Sequence, residues 1–149
     1  MSDAAPHDCT VLIVDDDTDV QEMLRVALTA DGYRVAIAAN GRAALDYLRS
    51  HADTSAILLD LMLPEMDGEQ FREVQRRDRS LAWIPVVVMS AAIDAERRAT
   101  DAGAEIVLRK PIDLDELRCV LKLVTRKNTQ NRSGVAELAH RKGRPLSSG

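Results

Sequence analysis

Four apolar runs in this sequence are each followed by a side chain that can take part in polar chemistry. Asp15 and Asp16 follow VLIV, Asp60 follows AILL, Ser90 follows VVVM, and Lys110 follows EIVLR. If these runs are parallel strands, their carboxyl ends meet at one edge of a sheet, where open α/β folds bind their ligands. We therefore expect three carboxylates, a hydroxyl and an amine to share one site.

Three carboxylates at one site repel one another. Two like charges about 4 Å apart repel by roughly 1 kcal/mol in water and by about 4 kcal/mol at an effective dielectric of 20, so the group calls for a cation or a proton. A hard divalent metal suits ligands that are all oxygen. A metal beside a carboxylate, a hydroxyl and an ammonium indicates phosphoryl chemistry.

The elements that must position these side chains alternate along the chain. Apolar runs and helical patterns follow each other five times, which is typical of a parallel sheet with helices on both faces. The sequence predicts five strands, over 11–14, 35–39, 56–59, 86–89 and 105–108. The third run is apolar at every position, as a strand buried on both faces must be.

The helices between the strands carry recognisable start signals. Asp17 or Thr18 can cap the first helix, Asn40 can cap the second, and Asp113 with Glu116 makes a capping-box pattern before the last. The remaining features are a thin apolar stripe in the third helix, from Phe71 and Val74, and a weakly patterned fourth helix over 94–102 that ends at Gly103. We expect that fourth helix to be the least firmly packed.

Length and composition indicate one globular domain. The chain has 149 residues, of which 46% are hydrophobic, 30% charged and 3% aromatic, so ligand binding by aromatic stacking is not expected. The amino terminus lacks the features of a signal peptide, and no apolar run approaches the roughly 18 residues of a membrane span. These features predict a cytoplasmic protein without a membrane span.

The charge divides the chain into segments. Residues 1–125 carry a net charge of -9 and residues 126–149 one of +5. We assign 1–9 to an amino-terminal extension, 10–125 to the domain and 126–149 to a basic, flexible tail. The tail could contact nucleic acid or anionic lipid, but its charges without aromatics are more typical of a solvated segment. Nucleic-acid binding is therefore not expected.

The cysteines and histidines do not form a site in the sequence. Cys9 and Cys119 lie far apart without CxxC spacing, so we expect two reduced thiols in ordinary packing rather than a disulfide or a metal site. His7, His51 and His140 have no candidate ligand or nucleophile near them and are expected at the surface.

Four motifs, taken together and in this order, resemble the receiver domain of two-component response regulators. They are VLIVDDD, ILLDLMLPEMDG, VVVMSA and LRKP. The resemblance covers about residues 10–125. It implies an α/β fold with a doubly wound, five-stranded parallel sheet of flavodoxin-like order 2-1-3-4-5. Strands one and three are neighbours in that order, which brings Asp15 and Asp16 next to Asp60.

The resemblance also implies roles for these residues. Asp60 would be the phosphoacceptor, a nucleophile that is already ionised at neutral pH and forms an acyl phosphate. Asp16 would bind Mg²⁺ directly, together with Asp60 and the backbone carbonyl of Met62, and Asp15 would act largely through a metal-bound water. Such a sparse ligand set is consistent with Mg²⁺, which keeps several of its waters.

Further positions complete or depart from the family pattern. Ser90 would hydrogen-bond one phosphoryl oxygen and Lys110 would pair with another, and the peptide between Lys110 and Pro111 would be cis. Three residues before the lysine, receivers usually have Tyr or Phe, whereas this chain has Val107. Two interpretations stay open: a conservative aliphatic strand residue, or an output that lacks the usual aromatic readout.

The function implied is a phosphorylation switch rather than an enzyme, one that catalyses at most its own phosphorylation and dephosphorylation. A sensor histidine kinase or a histidine phosphotransfer protein would supply the phosphoryl group, and a downstream partner protein would provide the output, because residues 126–149 are too few for an output domain.

Two alternatives remain. One is a degenerate receiver that binds partners without phosphorylation. The other is a small phosphatase of the haloacid dehalogenase type, in which the nucleophile follows strand one in a D-x-D-x-[T/V] motif. In this chain that motif would start at Asp15, but Asp19 stands at its last position.

Overall fold

A computed structural model of the chain describes residues 9–91 and 106–125. Five parallel strands form one sheet in the order β2-β1-β3-β4-β5. Their bounds are β1 Thr10–Val14, β2 Arg34–Ala38, β3 Ala56–Asp60, β4 Val86–Ser90 and β5 Ile106–Arg109. The predicted doubly wound order is confirmed, with the three buried strands β1, β3 and β4 in the middle of the sheet.

Helices cover both faces of the sheet. Three of them are α1 Thr18–Ala30, α2 Gly41–Ser50 and α3 Gly68–Arg77, and a further helix spans 114–125. Asp17 caps α1 through the amides of residues 19 and 20, and Asn40 caps α2 through the amide of Ala43. Asp113 accepts the amides of residues 115 and 116 at the start of the 114–125 helix. The predicted caps are therefore present, with Asp17 rather than Thr18 capping the first helix.

The core has two layers because alternate strand residues point to opposite faces of the sheet. On one face α2 and α3 pack over a cluster that includes Leu12, Leu59 and Val88. On the other face α1 and the 114–125 helix pack over a cluster that includes Ile13 and Leu58. These two layers hold the sheet rigidly, so that its carboxyl edge can present polar groups.

Several sequence-based boundaries need correction. β2 runs from 34 to 38 rather than 35 to 39, because Arg34 pairs with Thr10 at the start of β1. β5 is described from 106 to 109, one residue beyond the predicted end at 108. Asp60 and Ser90 are the last residues of their strands rather than the first residues after them.

The prediction of free thiols is confirmed for both cysteines, whereas the predicted packing is correct for one residue and wrong for the other. Both thiols are free; Cys9 is buried in the core, but Cys119 is exposed on the 114–125 helix. Positions 117, 121 and 124 of that helix face the core, and position 119 points away from them because residues two apart lie on different sides of a helix.

Other predictions fall outside the described residues, among them the helix over 94–102 with Gly103, the tail over 126–149, His7 and His140; these stay predictions. His51 is exposed, as expected. Within 9–91 and 106–125, no helix has both the length and the apolar character needed to cross a bilayer.

Candidate functional site

The carboxyl edge of the sheet brings the predicted site residues together. Asp15 follows β1, Asp60 ends the neighbouring β3, Ser90 ends β4, and Lys110 follows β5. Oxygen atoms from the carboxylates of Asp15, Asp16 and Asp60 all lie within 4.8 Å of one another. These three residues, which we call the acidic site, are the carboxylates that the sequence placed at this edge.

Lys110 bridges the two buried carboxylates of the acidic site. Its Nζ donates to Oδ2 of Asp15 at 2.8 Å and to Oδ2 of Asp60 at 3.0 Å. The lysine side chain is 20% exposed, whereas those of Asp15 and Asp60 are 0% and 7% exposed. One ammonium therefore neutralises only part of the charge of three carboxylates.

The backbone fixes the positions of Lys110 and Ser90. The amide of Lys110 donates to the carbonyl of Ser90 at 3.1 Å, and the Lys110–Pro111 peptide bond is cis. Ser90 is buried and lies one residue beyond Met89, which is the register partner of Asp60. The hydroxyl-bearing residue and the lysine thus flank the aspartate from the β4 and β5 side.

Asp15 is held by its own loop. Its amide donates to the carbonyl of Ala38 at 3.1 Å, and its Oδ1 accepts the amide of Asp17 at 2.9 Å. The side-chain amide of Gln21 donates to the Asp15 carbonyl, a contact that sequence reasoning missed although Gln21 lies in the first turn of the helix that follows the acidic pair. Asp16 is the exposed member of the site and faces solvent.

Each of the two carboxylate oxygens of Asp60 accepts a hydrogen bond from a different donor. Its Oδ1 accepts the amide of Met62 at 2.9 Å, and its Oδ2 accepts Lys110 Nζ. On balance the pKa of Asp60 is raised above its ordinary value, because burial outweighs the lowering by the Met62 amide and Lys110, and the charge of Asp15 raises it further. The two donors thus only partly offset the cost of ionising this buried carboxylate.

The charge of Lys110 is stabilised by the same contacts. Burial alone would lower the pKa of Lys110, but the hydrogen bonds and charges of Asp15 and Asp60 outweigh it and raise the pKa above its usual value. The amine therefore stays a cation and is available to compensate negative charge at the site.

The start of α3 is built against the backbone of Asp60. The amide of Gly68 donates to the Leu61 carbonyl at 3.1 Å. A Cβ at position 68 would lie 2.7 Å from Cα of Leu61 and 2.8 Å from the carbonyl oxygen of Asp60, so only glycine allows this approach. Asp67 and Gln70 add a reciprocal capping box. The Gly68 contact was missed in the sequence, although the DG dipeptide signals a tight backbone there.

The acidic site fits a hard divalent cation. Its ligand atoms are carboxylate oxygens, two of the three carboxylates are buried, and the described ammonium leaves excess negative charge. Oxygen ligands and residual negative charge are what Mg²⁺ requires. Met62, whose carbonyl is the fourth predicted ligand, directly follows Leu61 in the loop after Asp60, with a mostly exposed side chain.

Comparison with known protein families supports the same conclusion. The sequence matches the family described as "Response regulator receiver domain" over residues 11–122. The chain belongs to this receiver family. Receiver domains act as regulatory phosphoacceptors in two-component systems, and phosphorylation and Mg²⁺ binding are typical of them.

Curated relatives cover most of this chain. Response regulator MprA of Mycolicibacterium vanbaalenii is 39% identical over 132 residues, which is 87% of this chain and 55% of that protein. Transcriptional regulatory protein KdpE of Mycobacterium tuberculosis is 36% identical over 121 residues, 80% of this chain and 52% of that protein. The chain therefore spans about half the length of the curated relatives it matches.

Solved structures agree on the fold. A putative response regulator from Chloroflexus aurantiacus superposes with a TM-score of 0.75 at 32% identity, covering 79% of this chain and 98% of the other. Chemotaxis protein CheY4 of Vibrio cholerae gives a TM-score of 0.71 at 28% identity, covering 78% and 98%.

The phosphatase alternative loses support at Asp17. In a D-x-D motif starting at Asp15, Asp17 would be the second catalytic carboxylate. Its Oδ1 instead accepts the amides of Asp19 and Val20 as the cap of α1. A carboxylate used as a helix cap is not directed at a substrate, so this geometry and the family match both favour the receiver.

Proposed function

We propose that this receiver accepts a phosphoryl group on Asp60 from the phosphohistidine of a sensor histidine kinase or a histidine phosphotransfer protein. The observation that carries the proposal is the bridge from Lys110 to both Asp15 and Asp60, at 2.8 and 3.0 Å. A lysine held between two buried carboxylates is placed to compensate the charge that arrives with a phosphoryl group.

In the proposed transfer, a carboxylate oxygen of Asp60 attacks phosphorus. A new P–O bond forms, the P–N bond to the donor imidazole breaks, and the electron pair leaves with that nitrogen, which takes a proton from solvent. The product is an acyl phosphate on Asp60 and a neutral histidine on the donor. The reaction needs no general base on this chain, because the attacking group is already an anion.

Neighbouring side chains stabilise the product in this proposal. Lys110 shifts from a carboxylate partner to a phosphoryl oxygen, and the Ser90 hydroxyl donates to another oxygen. The position of Ser90 at the end of β4, next to the strand of Asp60, supports this role.

A Mg²⁺ ion held by Asp15, Asp16, Asp60 and the carbonyl of Met62 would supply charge neutralisation for the phosphoryl oxygens. The oxygen-only donor set and its uncompensated negative charge support this assignment. The chain's own residues contribute binding and orientation: Asp15 is fixed by the Asp17 amide, and Asp60 by the Met62 amide.

The output is proposed to be a downstream partner protein that binds the phosphorylated form. A specific observation keeps phosphorylation-independent binding as the second candidate. Val107, the position usually aromatic in receivers, lies in β5 opposite Val88 and packs half-buried against the α2–α3 core layer. A small residue held in the core cannot make the usual ring movement.

The test of phosphorylation is intact-mass measurement after incubation with acetyl phosphate and Mg²⁺. We expect a gain of one phosphoryl mass in the wild type and none in Asp60→Asn. The matched control is Asp46→Asn, at an exposed aspartate on α2, which should behave as the wild type does. A modification that persists in Asp60→Asn, or is missing from the wild type, would overturn the proposal.

The test of output is a pull-down with phosphorylated wild type, unphosphorylated wild type and Asp60→Asn. A partner retained only by the phosphorylated protein supports the switch. Equal retention by all three samples would instead establish the phosphorylation-independent binding module.

A further inference from the structure

The loop over 61–67 connects Asp60 to α3 and is fixed at both ends. At one end the Met62 amide bonds Oδ1 of Asp60 at 2.9 Å, and at the other the Gly68 amide bonds the Leu61 carbonyl at 3.1 Å. Between them Glu65 has a φ of 63°, in the left-handed region that non-glycine residues avoid. Such a conformation persists only where surrounding contacts impose it.

The contact that can impose this conformation comes from α2. Gly41, the buried first residue of α2, lies directly against Met66. A Cβ at position 41 would be 3.0 Å from both Cγ and Sδ of Met66 and 3.1 Å from its carbonyl oxygen. Carbon atoms pack at about 3.5–4.0 Å, so a side chain at position 41 would force Met66 to give way by a few tenths of an ångström.

We propose that Gly41 is a positioning residue for the phosphorylation site. Because Gly41 has no side chain, Met66 can pack against the first turn of α2. This contact sets the path of the 61–67 loop. The path of the loop in turn fixes the position of the Met62 amide, which orients Asp60. This inference deepens the proposed function and rests on it for its effect on phosphorylation. Its structural part, the coupling of position 41 to Met62, can be measured without any phosphodonor.

Local stability and site geometry respond in opposite ways to a methyl group at position 41. The residue is helical with a negative φ, so alanine fits its backbone conformation, and alanine is the better helix former. Gly41→Ala therefore favours the helix, while its Cβ pushes Met66 and the loop away by a few tenths of an ångström. A loss of function without a loss of stability would separate positioning from folding.

The experiment compares wild type, Gly41→Ala, Met66→Ala and the double variant, using backbone NMR and phosphorylation by acetyl phosphate with Mg²⁺. In Gly41→Ala we expect a displaced Met62 amide resonance and phosphorylation slower by about tenfold, because small misplacements of a reacting group carry large rate penalties. The control is Ala43→Ser, which also adds one heavy atom, at an exposed position in the same helical turn.

The double variant tests whether the two residues act through one contact. If they do, the effects are non-additive, and the double variant reacts no more slowly than the slower single variant. Met66→Ala removes atoms and creates no clash, so it gives a folded reference even if Gly41→Ala does not fold.

Additive effects, an unmoved Met62 resonance in Gly41→Ala, or an equal change in Ala43→Ser would overturn the inference. With Gly41→Ala unfolded, Met66→Ala decides alone: a shifted Met62 resonance supports the inference, and an unshifted one overturns it. Failure of the wild type to gain a phosphoryl group would remove the proposed function, and the NMR comparison would still decide the coupling.

Discussion

Two buried polar groups at opposite edges of the sheet are built on different principles. At the amino edge, the fully buried Gln75 donates from Nε2 to the carbonyls of Leu81 and Ile84, at 2.9 and 3.0 Å, and its Oε1 accepts Nη1 of Arg72 at 2.8 Å. At the carboxyl edge stands the acidic site with Lys110. We refer to the first group as the Gln75 network.

The difference lies in how completely the polar atoms of the Gln75 side-chain amide and the carboxylates of the acidic site are paired. The Gln75 network places a neutral amide on two fixed carbonyls, so each hydrogen bond stabilises the fold. The acidic site sets three carboxylates against one described ammonium and keeps unsatisfied negative charge in a buried position. The Gln75 network therefore stabilises the fold, whereas the acidic site lowers stability and in return can bind a cation.

The largest effect on stability is expected from the Gln75 network. In Gln75→Glu the shape is kept, but a carboxylate cannot donate to the carbonyls of Leu81 and Ile84, so the free energy of unfolding should fall by about 3 kcal/mol. Urea denaturation measures it. The control Gln70→Glu makes the same change on the exposed side of α3, where either residue completes a capping box, and should shift stability by less than about 0.5 kcal/mol. Equal effects at both positions would contradict the comparison.

The next largest effect is expected from Lys110, whose substitution should lower both the free energy of unfolding and the rate of phosphorylation. Lys110→Met leaves Asp15 and Asp60 buried without their shared cation, which should lower the free energy of unfolding by about 2 kcal/mol, less than for a wholly buried pair because the lysine is partly exposed. Phosphorylation should slow by about a hundredfold. Lys122→Met, at an exposed lysine of the 114–125 helix, is the control; a Lys110 variant as stable and reactive as that control would refute the assigned role.

The effect of Mg²⁺ on the free energy of unfolding tests whether the acidic site binds a cation. At a concentration ten times its dissociation constant, Mg²⁺ should raise the free energy of unfolding by about 1.4 kcal/mol. Urea denaturation with and without the ion, at matched ionic strength, measures the shift. Asp16→Asn should lose most of it and Asp46→Asn none. The same shift in all three proteins would mean that the ion acts elsewhere.

The smallest effect is a gain in stability caused by a substitution in the acidic site. Asp60→Asn removes one of the like charges that the fold holds together, so without Mg²⁺ the variant should be more stable than the wild type by about 1 kcal/mol, even though on the proposed function it has lost the phosphoacceptor. Thermal or urea unfolding of the metal-free proteins decides this. A less stable variant would show that the carboxylate at position 60 contributes to folding rather than opposing it.

Much of the fold and site could be predicted from sequence because local chemistry and strand order agree. Runs such as AILL are apolar at each position, and polar residues at their ends can reach only one edge of a parallel sheet. Helix caps such as Asn40 are local interactions, so they are readable from neighbouring residues alone. The same holds for the acidic site, whose members lie at the end of a strand or within two residues of it.

The features that could not be predicted from the sequence depend on contacts between elements that are distant along the chain. The start of β2 is fixed by its pairing with Thr10, which no local pattern contains. Gln75 was not predicted to be buried from the sequence, although its spacing of four from Phe71 places it on the buried face of α3. The contact of Gly41 with Met66 was likewise not predicted, because the two residues are 25 positions apart in the sequence. Each of these depends on a partner that only the folded chain supplies.

The separation of Lys110 from its partners along the chain has a consequence for biosynthesis. Asp15 and Lys110 are 95 residues apart in sequence, yet their side chains are bonded. A ribosome-bound chain that has exposed only the first four strands therefore contains Asp15 and Asp60 without the lysine that bridges them. It also lacks the 114–125 helix that covers Ile13 and Leu58. On the proposed function, the complete site is therefore assembled only when the last strand and helix of the domain have been synthesised.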